Sequence, residues 1–280
     1  MLSKLELSHG EFRDLKKHTE KIGLRFMSTA FDSESLAFLS SDLQLDPLKI
    51  PSGEVTNGPL LLEFAQTGRD LILSTGMAVL DEINAALAVI AFGLLGKPTE
   101  PSNTAFDRAF MSEKGQELLR QKVTLLHCTT QYPAPLNCIN LRAMETLREK
   151  FNLRVGYSDH SAGLLVPCAA TALGAEVIEK HFTLDRNLPG PDHLASLEPG
   201  ELKAMVIGIK TVERSLGNGI KQPASSETNT RQMARRSLAT ACSIAEGVTL
   251  EAKMLTVLRP ADGISPALMD NVIGRRSKRS

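Results

Sequence analysis

The sequence predicts a parallel α/β fold, and three observations carry that prediction. Short β-type runs recur at residues 24–29, 47–53, 70–76, 122–129, 154–160 and 176–183, each followed by a helical pattern. Comparable points near the ends of these runs, Thr29, Ser52, Thr75, Cys128, Ser158 and His181, lie 23, 23, 53, 30 and 23 residues apart. Such intervals suit one strand, one helix and two short loops per unit. Every run also ends in polar residues, where parallel α/β folds keep their chemistry.

The elements follow in chain order. Residues 11–22 hold the single helical stretch before the first run. The one long interval predicts an insertion at residues 96–121, with Pro98, Pro101 and a charged helical stretch, elaborated as a surface loop. Ile83, Leu87, Ile90 and Leu94 make one helical stripe. Leu202, Met205, Val206, Ile209, Val212 and Leu216 make another, with Pro199 near its opening and Gly217 at its close. Helices of this kind coat a parallel sheet. The six units fit either an open doubly wound sheet or a (β/α)8 barrel, and a barrel needs two more strands than the runs supply. Beyond Lys221 a polar stretch, 222–230, leads to short apolar runs with turn-forming Gly and Pro, which predicts a linker and a small second module. The basic tail, Arg275-Arg276-Ser277-Lys278-Arg279-Ser280, is expected to be a solvated end.

Composition narrows the function classes. With 280 residues, 42% apolar and 23% charged, the chain can bury a substantial core. Its 32 Lys and Arg balance 32 Asp and Glu, so no basic field draws it to nucleic acid or anionic lipid. Cys128, Cys138, Cys168 and Cys242 show no metal-binding or redox spacing, and residues 1–15 are charged rather than signal-like, so a cytoplasmic location is expected. The longest apolar run, residues 85–95, has 11 residues. A bilayer span needs roughly 20.

The run ends suggest a site. One lysine among Ser and Thr hydroxyls, here Lys49 with Thr29, Ser52, Ser74 and Ser158, suits a phosphate or carboxylate, although each hydroxyl taken singly could cap the next helix. His160 and His181 end consecutive runs, so both imidazoles could reach one ion and leave positions open for substrate and water, or each could be a hydrogen-bonded core histidine. His193 lies in a loop and could add a third contact, while Glu54, just past a run end, suits a general acid or base. Together these residues describe metal-assisted chemistry on a phosphorylated small molecule.

The strings themselves are more specific. They are Phe26-Met27-Ser28-Thr29-Ala30-Phe31-Asp32, Lys49-Ile50-Pro51-Ser52-Gly53-Glu54, Leu73-Ser74-Thr75-Gly76-Met77, Leu126-His127-Cys128-Thr129 with Tyr132-Pro133, Gly156-Tyr157-Ser158-Asp159-His160, Glu179-Lys180-His181-Phe182-Thr183 and Pro189-Gly190-Pro191-Asp192-His193. In this order they resemble the sialic acid synthase family, whose members make N-acetylneuraminate, legionaminate and pseudaminate. The resemblance implies a (β/α)8 TIM-type barrel at residues 1–221, lacking its first two strands, then a linker at 222–234. A partial antifreeze-like (SAF) module would follow at 235–280.

By the same resemblance, phosphoenolpyruvate would bind Lys49, Thr29, Ser52, Ser74 and Ser158, with Thr130 at a position where some members carry asparagine. His160 and His181 would hold a divalent metal, usually manganese, with magnesium or cobalt as alternatives. Glu54 would be the catalytic carboxylate, and Tyr132 and Asp192 would line the sugar side. Arg259 would contact the sugar's acyl group across a domain-swapped homodimer. The implied reaction condenses phosphoenolpyruvate with N-acetylmannosamine or a related N-acylated hexose, giving a nonulosonic acid and phosphate. Two alternatives stay open: another phosphoenolpyruvate aldol-type synthase, and a non-catalytic remnant that binds only sugar or partners.

Overall fold

The computed structural model describes residues 6–96 and 100–279, and the chain divides into two compact units, Met1–Gly217 and Asn218–Ser280. In the first unit, α1 (His9–Lys21) opens on a capping box in which Ser8 and Glu11 satisfy each other's backbone N–H groups. The short α2 (Ser33–Ala37) is capped by Asp32. Five strands follow: β1 (Leu48–Ile50), β2 (Leu71–Ser74), β3 (Val123–Cys128), β4 (Arg154–Asp159) and β5 (Ile178–Lys180). Between them run α3 (Gly58–Gln66), α4 (Leu80–Leu94), α5 (Asn103–Met111), α6 (Glu113–Lys122), α7 (Ala143–Phe151) and α8 (Leu165–Ala172), with α9 (Pro199–Leu216) after the last strand.

All five strands pair in parallel, in the order β1-β2-β3-β4-β5. A doubly wound sheet reverses its strand order at a switch point, whereas a barrel wall adds each strand beside the one before. The described strands follow the second pattern. Covered by helices, the first three strands are rich in apolar residues: Leu48, Ile50, Leu71, Leu73, Val123 and Leu125 share one buried core with Phe64 of α3 and Leu87 and Ile90 of α4.

Three sequence expectations need correction. The run at 24–29 forms no strand; Thr29 alone makes a parallel bridge to Lys49. The insertion at 96–121 is no elaborated loop, because it folds into α5 and α6 and packs on α4, with Phe106 edge-on to Phe92 at 5.2 Å. Pro98 lies outside the described residues. Ile83, Leu87 and Ile90 of the α4 stripe are buried and Leu94 partly so, but along α9, which packs on α8, only Met205 is buried.

In the second unit, α10 (Thr228–Ala234) occupies part of the polar stretch. It precedes an antiparallel pair, β6 (Ser237–Thr240) with β7 (Leu255–Leu258), and the short α11 (Met269–Val272). Ser237 ties this unit together, donating to the Pro260 carbonyl at 2.9 Å and accepting the Gly263 N–H at 2.9 Å. Ser280 of the basic tail lies outside the described residues. Among them, no helix is long and apolar enough to cross a membrane.

One glycine sets how closely β4 meets the residues leading into β5. A Cβ at Gly156 would stand 2.4 Å from the Val177 carbonyl oxygen and 2.6 Å from Leu126 Cδ2. Gly156→Ala is therefore expected to force the two strands apart and lower stability by about 1–3 kcal/mol. The denaturant midpoint measures this, and an unshifted midpoint would contradict the close approach.

Candidate active site

Parallel pairing puts the carboxyl ends of β1 to β5 on one edge, and the polar residues collect there. Lys49, in the middle of β1, is buried, and its backbone is bridged by Thr29. The chain then turns through a single 3-10 turn, Ser52–Glu54, in which the Glu54 carboxylate accepts the Asn57 side-chain N–H at 2.6 Å. Ser74 closes β2, and its buried hydroxyl has no hydrogen-bond partner among the described residues. Leaving a buried hydroxyl unpaired costs about 1–3 kcal/mol, so such a group fits a ligand's oxygen.

Gly76 shows how tightly this corner is drawn. A Cβ there would lie 2.4 Å from Thr130 Oγ1, 2.8 Å from Cys128 Sγ and 3.3 Å from Ser52 Oγ. Three strand ends thus converge on a point that only glycine leaves open. Burial pushes the Cys128 thiol up, which keeps it protonated and unsuited to nucleophilic work.

The histidines adjoin this corner through a chain of contacts. Lys49 Nζ faces Glu179 Oε2 at 3.5 Å, a loose pair that leaves ammonium protons for another acceptor. Ser158 donates to Glu179 Oε1 at 2.6 Å and lies 3.4 Å from His160 Nε2. His160 Nδ1 meets the Thr129 carbonyl at 2.7 Å. A carbonyl only accepts, so Nδ1 carries the proton and Nε2 keeps its lone pair. Burial pushes the His160 imidazole down, favouring this neutral, ligating form. Its ring centroid is 5.3 Å from that of His181, and Tyr132 packs on both rings at 4.3 and 5.3 Å. Asp192 Oδ2 lies 3.9 Å from His181 Nδ1.

Most of the residues singled out from sequence therefore come together. Thr29 and Lys49 meet at the bridge, Ser52 and Thr130 meet beside Gly76, and Tyr132, Ser158, His160, His181 and Asp192 form a continuous series. Glu54 lies in the turn after β1 with its carboxylate held by Asn57, and no contact among the described residues joins it to the rest of this series. Arg259 lies in the second unit. His193 bonds Thr183 Oγ1 through Nδ1 at 2.7 Å. Glu179, given no role from sequence, joins the lysine to the histidine side, and only its i, i+2 spacing from His181 hinted that the two share a face.

The donor set suits a cation. Among the described residues no group of three His, Cys, Asp or Glu could enclose a metal ion. Two imidazoles fit a catalytic ion that draws its other ligands from substrate and water.

Residues 1–221 match the NeuB family. The chain is 44% identical over 275 residues to the N,N'-diacetyllegionaminic acid synthase of Campylobacter jejuni, covering 98% of this chain and 75% of that protein. It is 42% identical over 276 residues to the synthase of the same name from Legionella pneumophila, covering 99% and 71%. Among solved structures, the N-acetylneuraminic acid synthetase of Leptospira borgpetersenii matches with a TM-score of 0.66 at 34% identity, over 80% of this chain and 70% of that one.

Gly76→Ala is expected to push Thr130 and Ser52 aside and to weaken binding of inorganic phosphate roughly tenfold, about the loss of one charge-assisted hydrogen bond. Calorimetric titration measures it; wild-type affinity in the variant would place the anion elsewhere.

Proposed function

This chain belongs to the NeuB family and is an enzyme of the sialic acid synthase class, and from that premise we propose that it condenses phosphoenolpyruvate with an N-acylated mannosamine-type sugar to give a nonulosonic acid and phosphate. The observation that carries this reading is the continuity of the site. A buried lysine, a set of hydroxyls and two imidazoles lie on one sheet edge, joined through Glu179 and Ser158.

Lys49 and the hydroxyls of Thr29, Ser52, Ser74, Thr130 and Ser158 bind phosphoenolpyruvate, the ammonium supplying charge and the hydroxyls direction. His160 and His181 hold a divalent cation, manganese first, with magnesium or cobalt as alternatives; bound there, it supplies Lewis acidity toward the sugar's aldehyde oxygen. Tyr132 and Asp192 line the sugar side. Arg259 meets the sugar's acyl group from a second copy of the chain, carried by the SAF-type module at 235–280.

Held this way, the enol carbon of phosphoenolpyruvate faces the aldehyde carbon of the open-chain sugar, and orientation supplies much of the acceleration. The new C–C bond forms, the aldehyde oxygen gains a proton, and the carbon bearing the phosphate becomes cationic. Water adds to that carbon and loses a proton. The tetrahedral intermediate then breaks its C–O bond to phosphate as its hydroxyl proton passes to the departing phosphate, leaving the ketone of the product. Glu54 manages a proton in this sequence.

The relatives above 40% identity also direct the choice of sugar. Their named product carries two N-acetyl groups, and phosphoenolpyruvate brings none. A doubly N-acetylated acceptor, a diacetamido-trideoxy mannose, is therefore the first to test, with N-acetylmannosamine beside it.

Phosphate release from phosphoenolpyruvate is expected only when both a divalent metal and an acceptor sugar are present. Lys49→Met is expected to lower kcat/KM by roughly 10²–10³, the usual cost of losing a preorganised donor. Steady-state phosphate assays measure both. Release without sugar, or full turnover in the variant, would overturn the assignment, and no release with any such sugar would leave a binding role.

A further inference from the structure

Side chains alternate along a strand, so β4 and β5 each present a second row beside the one that carries Ser158, Glu179 and the histidines. That second row holds a buried polar network which the proposed reaction does not use. Asp159 pairs in register with Lys180, and the Lys180 ammonium donates to Asp159 Oδ2 at 2.6 Å. The two side chains are 0% and 2% exposed. Asp159 Oδ1 also accepts the Tyr157 hydroxyl at 3.2 Å and the Ser161 N–H at 2.9 Å. Lys180 in turn donates to the Ser161 carbonyl.

Such a pair needs a reason. Withdrawing two full charges from water is costly, and apolar side chains of similar volume often stabilise a fold equally well, so a pair of this kind is best explained by the geometry it imposes. Here the geometry falls on the histidines. His160 directly follows Asp159, and His181 directly follows Lys180. Because Lys180 binds both the Asp159 carboxylate and the Ser161 carbonyl, it grips the chain on either side of His160 while forming the residue before His181. One ammonium thus ties together the two backbones that aim the imidazoles. Among the described residues no other side chain hydrogen-bonds to both Asp159 and Ser161.

We propose that Asp159 and Lys180 form a positioning pair that sets the separation of His160 and His181, and through it the affinity for a divalent cation. This rests on the reading that the two imidazoles hold that cation. The pair touches neither substrate nor metal; it acts through the strand ends.

The test titrates Mn2+ into the full chain by calorimetry, with thermal melts recorded beside it. In Asp159→Asn/Lys180→Met both charges go together, and the asparagine can still bond Tyr157 and Ser161. The double variant is expected to keep a wild-type-like melt while Mn2+ affinity falls by roughly tenfold or more, in line with lost support behind metal ligands. Wild-type affinity in the folded double variant would overturn the positioning role and leave the histidine assignment standing. Should the double variant not fold, Tyr157→Phe decides, since it removes one hydrogen bond to Asp159 and keeps the ring: weaker Mn2+ binding supports the proposal, and unchanged binding overturns it. If the unmodified protein binds no Mn2+, or His160→Ala binds it as well as wild type, the histidine reading falls and the positioning role falls with it.

Discussion

Parallel strand pairing is the constraint on which the rest of the molecule depends. In an all-parallel sheet every strand ends on the same edge, and the next helix must carry the chain back along the face. Five short strands, three of them no longer than four residues, therefore bring residues as distant in sequence as Lys49 and His181 into one neighbourhood. Apolar residues dominate the first parts of most of these strands, and hydroxyls and imidazoles gather toward their ends, with Lys49 inside β1. Stability and chemistry thus occupy successive parts of the same segments.

The edge is organised by charge as well as by topology. Glu179 faces Lys49 loosely, holds the Ser158 hydroxyl and stands near His160, so a lysine, a carboxylate and an imidazole share one small volume. Coulomb interactions between groups so placed are stronger than in water, because much of the site is buried. The second row of the same two strands answers with its own pair, Asp159 and Lys180, fully withdrawn from solvent. Both rows of side chains at these strand ends are therefore tied by polar contacts, Glu179 with Lys49 and Ser158 on one and Asp159 with Lys180 on the other.

Much of this was legible in the sequence, for identifiable reasons. The repeat of apolar run, polar end and helical pattern comes from local constraints, so the strands at 47–53, 70–76, 122–129, 154–160 and 176–183 and the buried stripe of α4 could be placed directly. The run at 24–29 has strand-like composition but only one bridge, because strand formation needs a partner along its length, and pairing is a property of neighbours. The segment at 96–121 looked like a loop since its prolines and charges mask two short helices whose stability comes from packing on α4. Glu179 and the Asp159–Lys180 pair were invisible as a unit, since a lone carboxylate or ammonium at a strand end has an ordinary solvated reading until its partner is known.

The sequence by itself determined the fold class, the inventory of polar strand ends and, through seven ordered motifs, the family, because each is written in local periodicity and residue identity. Only the tertiary structure decided which of those residues touch. Parallel register sets Ser158 beside Glu179 and Asp159 beside Lys180, and a one-residue slip would exchange the two rows of side chains. Register is settled by packing across the whole sheet, so no single segment could have declared that the histidines lie on one row and the ion pair beneath them on the other.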